Sequence, residues 1–314
     1  MSRSVPWVAG TRLVFCARPG PGPVLCGDTG SLYNSGVTDE KEPRVGPCLF
    51  CDEVGELTDE DLFSIWINKA LTDRSGKTPK IAFSSRRVDG DEIQNLDRKL
   101  SQTYSIIKIP DICKSCNNGW MSVIDNEASR IIKPILVEDR RFGLTVREQS
   151  VLSRWLALKT LLADLIDDQN CVFLHHDFHA FYADRDPPPR FRASLAYIDT
   201  QGEDINLFNV QPLEASQAIN GINVGDLVAV EFRFSIAPVY FHTGMVSLDG
   251  QKYPDPIHIE PNPHWSLIWP AQRPEAQWPP PYAFTPDKLP RAETDWPYHD
   301  EWVKRLQERT KGKS

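Results

Sequence analysis

The sequence predicts an α+β protein in which a small cysteine-bracketed module is joined by helices to an antiparallel sheet region. Three observations carry that prediction. Two Cys-x-x-Cys pairs, Cys48–Cys51 and Cys113–Cys116, stand with 61 residues between them. A long run with helical periodicity follows over Thr145–Asp168. Beyond it, apolar residues alternate at period two in several segments, most cleanly over Gly225–Ile236.

The bulk numbers agree with a folded, water-facing chain. At 314 residues it is long enough for a substantial core, and 40% hydrophobic with 25% charged residues is globular composition. A net charge of −8 excludes a surface coated with positive charge, though not a local basic face. Seven cysteines are an odd number and too few for a disulfide scaffold of this length, which points to a reducing compartment and a cytoplasmic location. No apolar run reaches the ~18 residues a membrane-spanning helix needs, so no membrane partner is expected.

Four regions follow along the chain. Residues 1–45 carry Gly-Pro repeats and read as a poorly ordered N-terminal segment. Residues 46–143 form the cysteine-bracketed module. Within it, Thr58 and Asp61 resemble a capping box, opening a helix through Leu62, Phe63, Ile65, Trp66, Ala70 and Leu71. Ser105–Pro110 reads as a strand leading into the second cysteine pair. A helix over Met121–Leu136 is expected to be interrupted or ended early by Pro134. Residues 144–270 hold the long helix, a shorter one over Asp177–Ala183 and a series of strands: Arg190–Asp199, Ile205–Val210, Gly225–Ile236, Val239–Leu248 and His264–Trp269. Residues 271–314 are a Pro/Trp-rich tail, an extended tether ending in a helix over Trp296–Arg309.

The cysteine pairs carry the most chemistry. Two residues between cysteines let one tight turn aim both sulfurs at one point. Four thiolates converging in this way, Cys48, Cys51, Cys113 and Cys116, form the tetrahedral shell that Zn²⁺ prefers, and a closed shell of that kind is structural. The second pair runs straight into the Met121 helix, as a treble-clef arrangement requires.

The residues around these pairs resemble a known group, the HNH-endonuclease-like proteins of actinobacteria and their phages. That pattern opens on Cys-x-x-Cys. It continues with Thr-x-Glu-His, two hydrophobic residues and Pro-x-Trp, and then Cys-x-x-Cys-Asn-x-Gly-Trp-Met-Ser. The matching stretches here are Cys48–Cys51, Thr58 through Glu60, Asp61, Ser64 and Trp66, and Cys113-Lys114-Ser115-Cys116-Asn117-Asn118-Gly119-Trp120-Met121-Ser122. The similarity extends over about residues 46–270, more weakly towards the end. It implies a metal-dependent phosphodiesterase acting on DNA, with Glu60 and Asn117 in the slots that hold Mg²⁺ or Mn²⁺. The slot of the general-base histidine falls on Asp61, and all seven histidines lie beyond the module. An aspartate (pKa ~3.9) is a far weaker base near neutral pH than a histidine (~6.5), and loss of a general base forfeits ~10²–10⁴-fold in rate. The resemblance therefore implies a protein of nuclease descent that engages DNA with impaired cleavage. The alternative is a non-enzymatic, zinc-stapled interaction or scaffold protein. Read without the resemblance, Glu60 and Asp61 are acidic residues in a first helical turn, and Asn117 is a helix cap.

Remaining features are less pointed. From Lys69 to Lys114, ten Lys/Arg face six Asp/Glu, a local excess that suits phosphate contacts. His175 and His179 share a face if that stretch is helical, but two histidines lack the third ligand a metal needs. Trp265, Trp269, Trp278, Trp296 and Trp302 either form a binding groove or pin the tail to the sheet.

Overall fold

The computed structural model describes residues 43–285, apart from 77–81, 84, 90–91, 97–106, 139–141, 166–172, 174, 189–190, 200–206, 216–226, 237, 249–262 and 272. The N-terminal segment, Cys16, Cys26, Cys171, the Arg98-Lys99 pair and the expected helix over Trp296–Arg309 lie outside the described residues.

The cysteine module begins with a hairpin. Strands β1 (Val45–Pro47) and β2 (Val54–Asp61) pair antiparallel, and β6 (Lys108–Cys113) adds to the other side of β2. The tip of the hairpin is closed by two backbone bonds, Asp52 N to Cys48 O (3.0 Å) and Cys48 N to Glu53 O (3.1 Å). Helix α1 (Ile65–Ser75) follows, and between it and β6 lie β3 (Ala82–Phe83), β4 (Ser85–Asp89) and β5 (Glu92–Leu96). After β6 come a short helical turn α2 (Lys114–Cys116), a wide turn over Asn117–Met121 kinked at Gly119, and helix α3 (Ser122–Glu138).

Two expectations are corrected here. The first helix does not start at Thr58. Residues Thr58 to Asp61 belong to β2, and the helix opens at Ile65 after Ser64. The acidic run that imitates a capping box is instead held by strand pairing, Thr58 opposite Ile112 and Glu60 opposite Ile109 with a bulge between. Pro134 does not end α3 either. The buried side chains on both sides of it, Ile132, Ile135 and Leu136, keep the helix on its bed despite the missing amide.

A short strand β7 (Phe142–Thr145) leads into α4 (Val146–Asp164). Here the capping box is real. The Glu148 amide donates to Thr145 Oγ1 (3.3 Å), and the Thr145 amide donates to Glu148 Oε2 (2.8 Å). Helix α4 is central, buried not along one stripe but almost all round. Several of its polar side chains find partners along the helix or beside it: Gln149 Nε2 donates to Leu144 O (2.8 Å), Ser153 Oγ to Gln149 O (2.7 Å) and Thr160 Oγ1 to Leu156 O (2.7 Å).

Helix α5 (His175–Asp184) precedes the main sheet, whose strands are β8 (Phe191–Tyr197), β9 (Leu207–Ala215), β10 (Leu227–Ile236), β11 (Val239–Leu248) and β12 (Ser266–Trp269). The order is β12-β8-β11-β10-β9-β3. All pairings are antiparallel except that β3 lies parallel to β9, so the segment between the cysteine pairs supplies one edge of the large sheet. The alternation expected in β10 is present, but both faces are covered. Phe232, Phe234 and Ile236 are buried, and so are Arg233 and Ser235. One core runs from the cysteines through α4 to the sheet, with Phe63 on Phe234 (5.2 Å between ring centroids) and Trp155 against Trp66, Phe234 and Phe241.

The Pro-rich stretch is more than a tether. Strand β13 (Glu275–Trp278) pairs with β7, Trp278 is buried beside Tyr197, and Trp265 packs on Tyr240 and Phe284. These tryptophans hold the segment to the sheet through the apolar area they bury. No described helix is long and apolar enough to cross a membrane.

Candidate metal centre

The sulfurs of Cys48, Cys51, Cys113 and Cys116 all lie within 4.8 Å of one another, although the two pairs come from opposite ends of a long insertion. Pairing of β2 with β6 causes this. It sets the hairpin tip that carries Cys48 and Cys51 beside the strand end and helix start that carry Cys113 and Cys116. The amide of Leu49 donates to Asp111 O (3.0 Å) and locks the tip to β6.

The donor set fits a tetrahedral ion. With metal–sulfur bonds of about 2.3 Å, sulfurs of a tetrahedral shell stand about 3.8 Å apart, and Cys51 Sγ lies 3.7 Å from Cys113 Sγ. That separation is far too long for a disulfide, and all four cysteines are free. Backbone amides point at the sulfurs: Cys113 N donates to Cys48 Sγ (3.3 Å) and Cys116 N to Cys113 Sγ (3.4 Å). Ser115 Oγ is 3.0 Å from Cys113 Sγ. Burial works to raise the Cys113 thiol, but the bonds from Ser115, the Cys116 amide and the neighbouring thiols outweigh it and bring it down to about 6. Burial pushes Cys51 up to about 11 and raises Cys116 further. Cys113 is therefore more readily deprotonated than Cys51 or Cys116, and the charge of a bound ion would favour the thiolate form of its ligands. The four cysteines can hold a metal ion such as zinc. Phe50, between Cys48 and Cys51 in the chain, is set edge-on to Trp120 at 5.3 Å.

The residues assigned to the nuclease-like slots occupy neighbouring positions on β2 and the helix start, but each has a different partner. Glu60 turns inward and is buried. Its Oε1 accepts from Lys159 Nζ at 3.4 Å. Asp61, one residue on, turns outward and pairs with Lys108. Asn117 Nδ2 donates to Thr58 Oγ1 (2.9 Å), which itself donates to Ile112 O (3.0 Å). Among the described residues, groups of three or more His, Cys, Asp or Glu donors close enough to share an ion are the four cysteines and Asp52-His175-His179, and Glu60 and Asp61 are in neither.

Around Glu60 lies an ion network that the sequence reading missed. Lys159 is fully buried in the middle of α4. Its ammonium meets Glu60, Asp125 Oδ1 (3.5 Å) and the Asp61 carbonyl (3.3 Å). Asp125 also accepts from Trp155 Nε1 (2.7 Å) and from the Ser64 hydroxyl. Two carboxylates share one ammonium. Burial is the main force raising the Glu60 carboxyl above its ordinary value, and Asp125 adds to it against the pull of Lys159. Burial acts to lower Lys159, yet Asp125 and Glu60 together raise it, so the ammonium stays charged. The signal was present in the sequence as a lone lysine inside the run Trp155-Leu156-Ala157-Leu158-Lys159-Thr160-Leu161-Leu162.

The histidine run is also resolved into contacts. His175 Nε2 lies 3.0 Å from Asp52 Oδ1, His179 Nε2 lies 3.0 Å from Asp52 Oδ2, and the two ring nitrogens are 3.2 Å apart. His176 points away towards Asp177. No family model, no curated protein and no solved structure matches this chain.

Proposed function

We propose that this chain is an HNH-endonuclease-like protein built on a zinc-stapled, treble-clef-type module, which engages DNA but whose phosphodiester-cleaving centre is closed. The observation that carries the reading is Lys159. A divalent cation on Glu60 would meet a buried ammonium 3.4 Å from the same carboxylate, and like charges at that distance in a poorly screened interior repel strongly. The lysine stands in for the ion. Glu60, Asp61 and Asn117 as arranged do not fit Mg²⁺ or Mn²⁺, so no cleavage step is assigned to them. Support for the treble-clef description is the order of parts: a cysteine hairpin, a strand, and a second cysteine pair opening a helix.

Support for DNA as the partner is the resemblance and the basic excess between Lys69 and Lys114. One observation favours the scaffold reading instead. Arg44, Lys108 and Lys114, the described bases around the hairpin, are each paired with a carboxylate: Asp59, Asp61 and Glu56. The test is incubation of the purified protein with plasmid and short duplex DNA in Mg²⁺ or Mn²⁺. Salt-sensitive duplex binding without nicking is expected. Nicking by the unmodified chain that Glu60→Ala abolishes would overturn the closed centre. Failure to retain duplex DNA at low salt would remove the DNA partner and favour the scaffold reading.

A further inference from the structure

We propose that Asp52, His175 and His179 form a second metal site, distinct from the four cysteines and open to solvent, for a divalent ion of the zinc class. The three donors come from two elements. His175 and His179 are four residues apart on one edge of α5, and Asp52 follows Cys51 at the hairpin tip. Asp52 takes a left-handed backbone conformation (φ 59°), which aspartate tolerates better than most residues and which lets its carboxylate meet α5.

The distances are those of metal ligands. An ion about 2.1 Å from each donor needs donors about 3.0 Å apart in octahedral geometry and about 3.4 Å apart in tetrahedral geometry. The observed separations are 3.0 Å from His175 Nε2 to Asp52 Oδ1, 3.0 Å from His179 Nε2 to Asp52 Oδ2 and 3.2 Å between the two ring nitrogens, so the carboxylate faces the pair with both oxygens. Hydrogen bonding alone does not explain this triangle. Each neutral imidazole carries one N–H. If both Nε2 atoms donate to Asp52, two N–H groups stand against each other; if one donates to its neighbour, one of the carboxylate contacts loses its proton. A cation held by the two ring nitrogens and the Asp52 carboxylate satisfies all three contacts at once.

The scaffold behind the donors is packed with aromatic rings. Phe178 packs edge-on against Phe50 of the cysteine hairpin (5.4 Å), Phe181 packs on Trp120 (5.9 Å), and the Arg185 guanidinium lies 4.0 Å over Trp120. These contacts pack α5 against the hairpin and the Asn117–Met121 turn while the ligand edge stays accessible. The side chains of Asp52, His175 and His179 are 55%, 40% and 33% exposed. Three protein ligands facing water leave coordination positions for water or an exogenous anion, unlike the sealed thiolate shell.

Cobalt titration of the full metal-stripped chain tests the site, because thiolate-to-cobalt charge transfer reports only the cysteines. The expected result is two equivalents bound, with the charge-transfer band complete after the first. His175→Ala/His179→Ala and, separately, Asp52→Asn should keep the full band and lose the second equivalent, while His176→Ala keeps both. A wild-type stoichiometry of one, or two equivalents persisting in the variants that keep the band, would overturn the site. Neither result depends on whether the chain binds DNA.

Discussion

Replacing Lys159 by methionine removes one charge from a buried trio and leaves the rest of the helix able to form. The side chain is fully buried, and its ammonium contacts Glu60, Asp125 and the Asp61 carbonyl at 3.3 to 3.5 Å. Methionine comes within one atom of its length but leaves two carboxylates facing each other without a cation. Breaking a buried ion pair from one side costs about 3–5 kcal/mol, because the partner keeps its desolvation penalty. Lys159→Met should therefore lower stability by about that much near pH 7, read as a shift of the urea midpoint at unchanged slope. Adding Glu60→Gln should return a large part of the loss, since an amide needs no counter-charge. The non-additivity of the two changes measures the pair. A single-variant loss below about 1 kcal/mol, the size of an exposed pair, or no recovery in the double variant, would refute the buried network.

Three further outcomes are expected. Glu60 has a folded-state pKa above its ordinary 4.5. Its contribution is thus fully present below that value and declines as pH rises through the raised one; Glu60→Gln should flatten that limb of the stability-versus-pH curve, and an unchanged slope would count against it. If the four cysteines hold a zinc-class ion, Cys116→Ser, or treatment with a strong chelator, should abolish metal binding there and melt the hairpin–β6 unit, followed by metal analysis and circular dichroism; a metal-free chain with an unaltered melt would refute the stapling role. Thr145→Ala should cost about 1 kcal/mol through loss of the capping box on α4, and denaturation with no measurable shift would contradict it.

How much of this was legible beforehand differs element by element. The strand over Val239–Leu248 was readable to its last residue, and those over Phe191–Tyr197 and Leu227–Ile236 to within two, because period-two alternation is a local property. Helix α4, expected over Thr145–Asp168 and found over Val146–Asp164, was readable because helical periodicity is local as well. The stretch Thr58–Asp61 was misread because a threonine followed by acids carries the same local signal as a helix start, and only pairing with β6 makes it a strand. The genuine capping box at Thr145 and Glu148 looks no different locally. Strand β13 was hidden because prolines dominate its surroundings, and its partner β7 precedes it by more than a hundred residues.

The amino-acid sequence by itself determined the four metal-type cysteines and the periodic segments, since two-residue spacing and alternation act within a turn or a strand. Tertiary structure alone decided what surrounds them. Lys159 reaches Glu60 across 99 residues of chain, and Asp52 completes a histidine pair that lies far beyond it. Both meetings follow from packing one long buried helix, and one short aromatic one, against a cysteine-held hairpin. Such encounters depend on the summed geometry of the whole core, which no local spacing encodes.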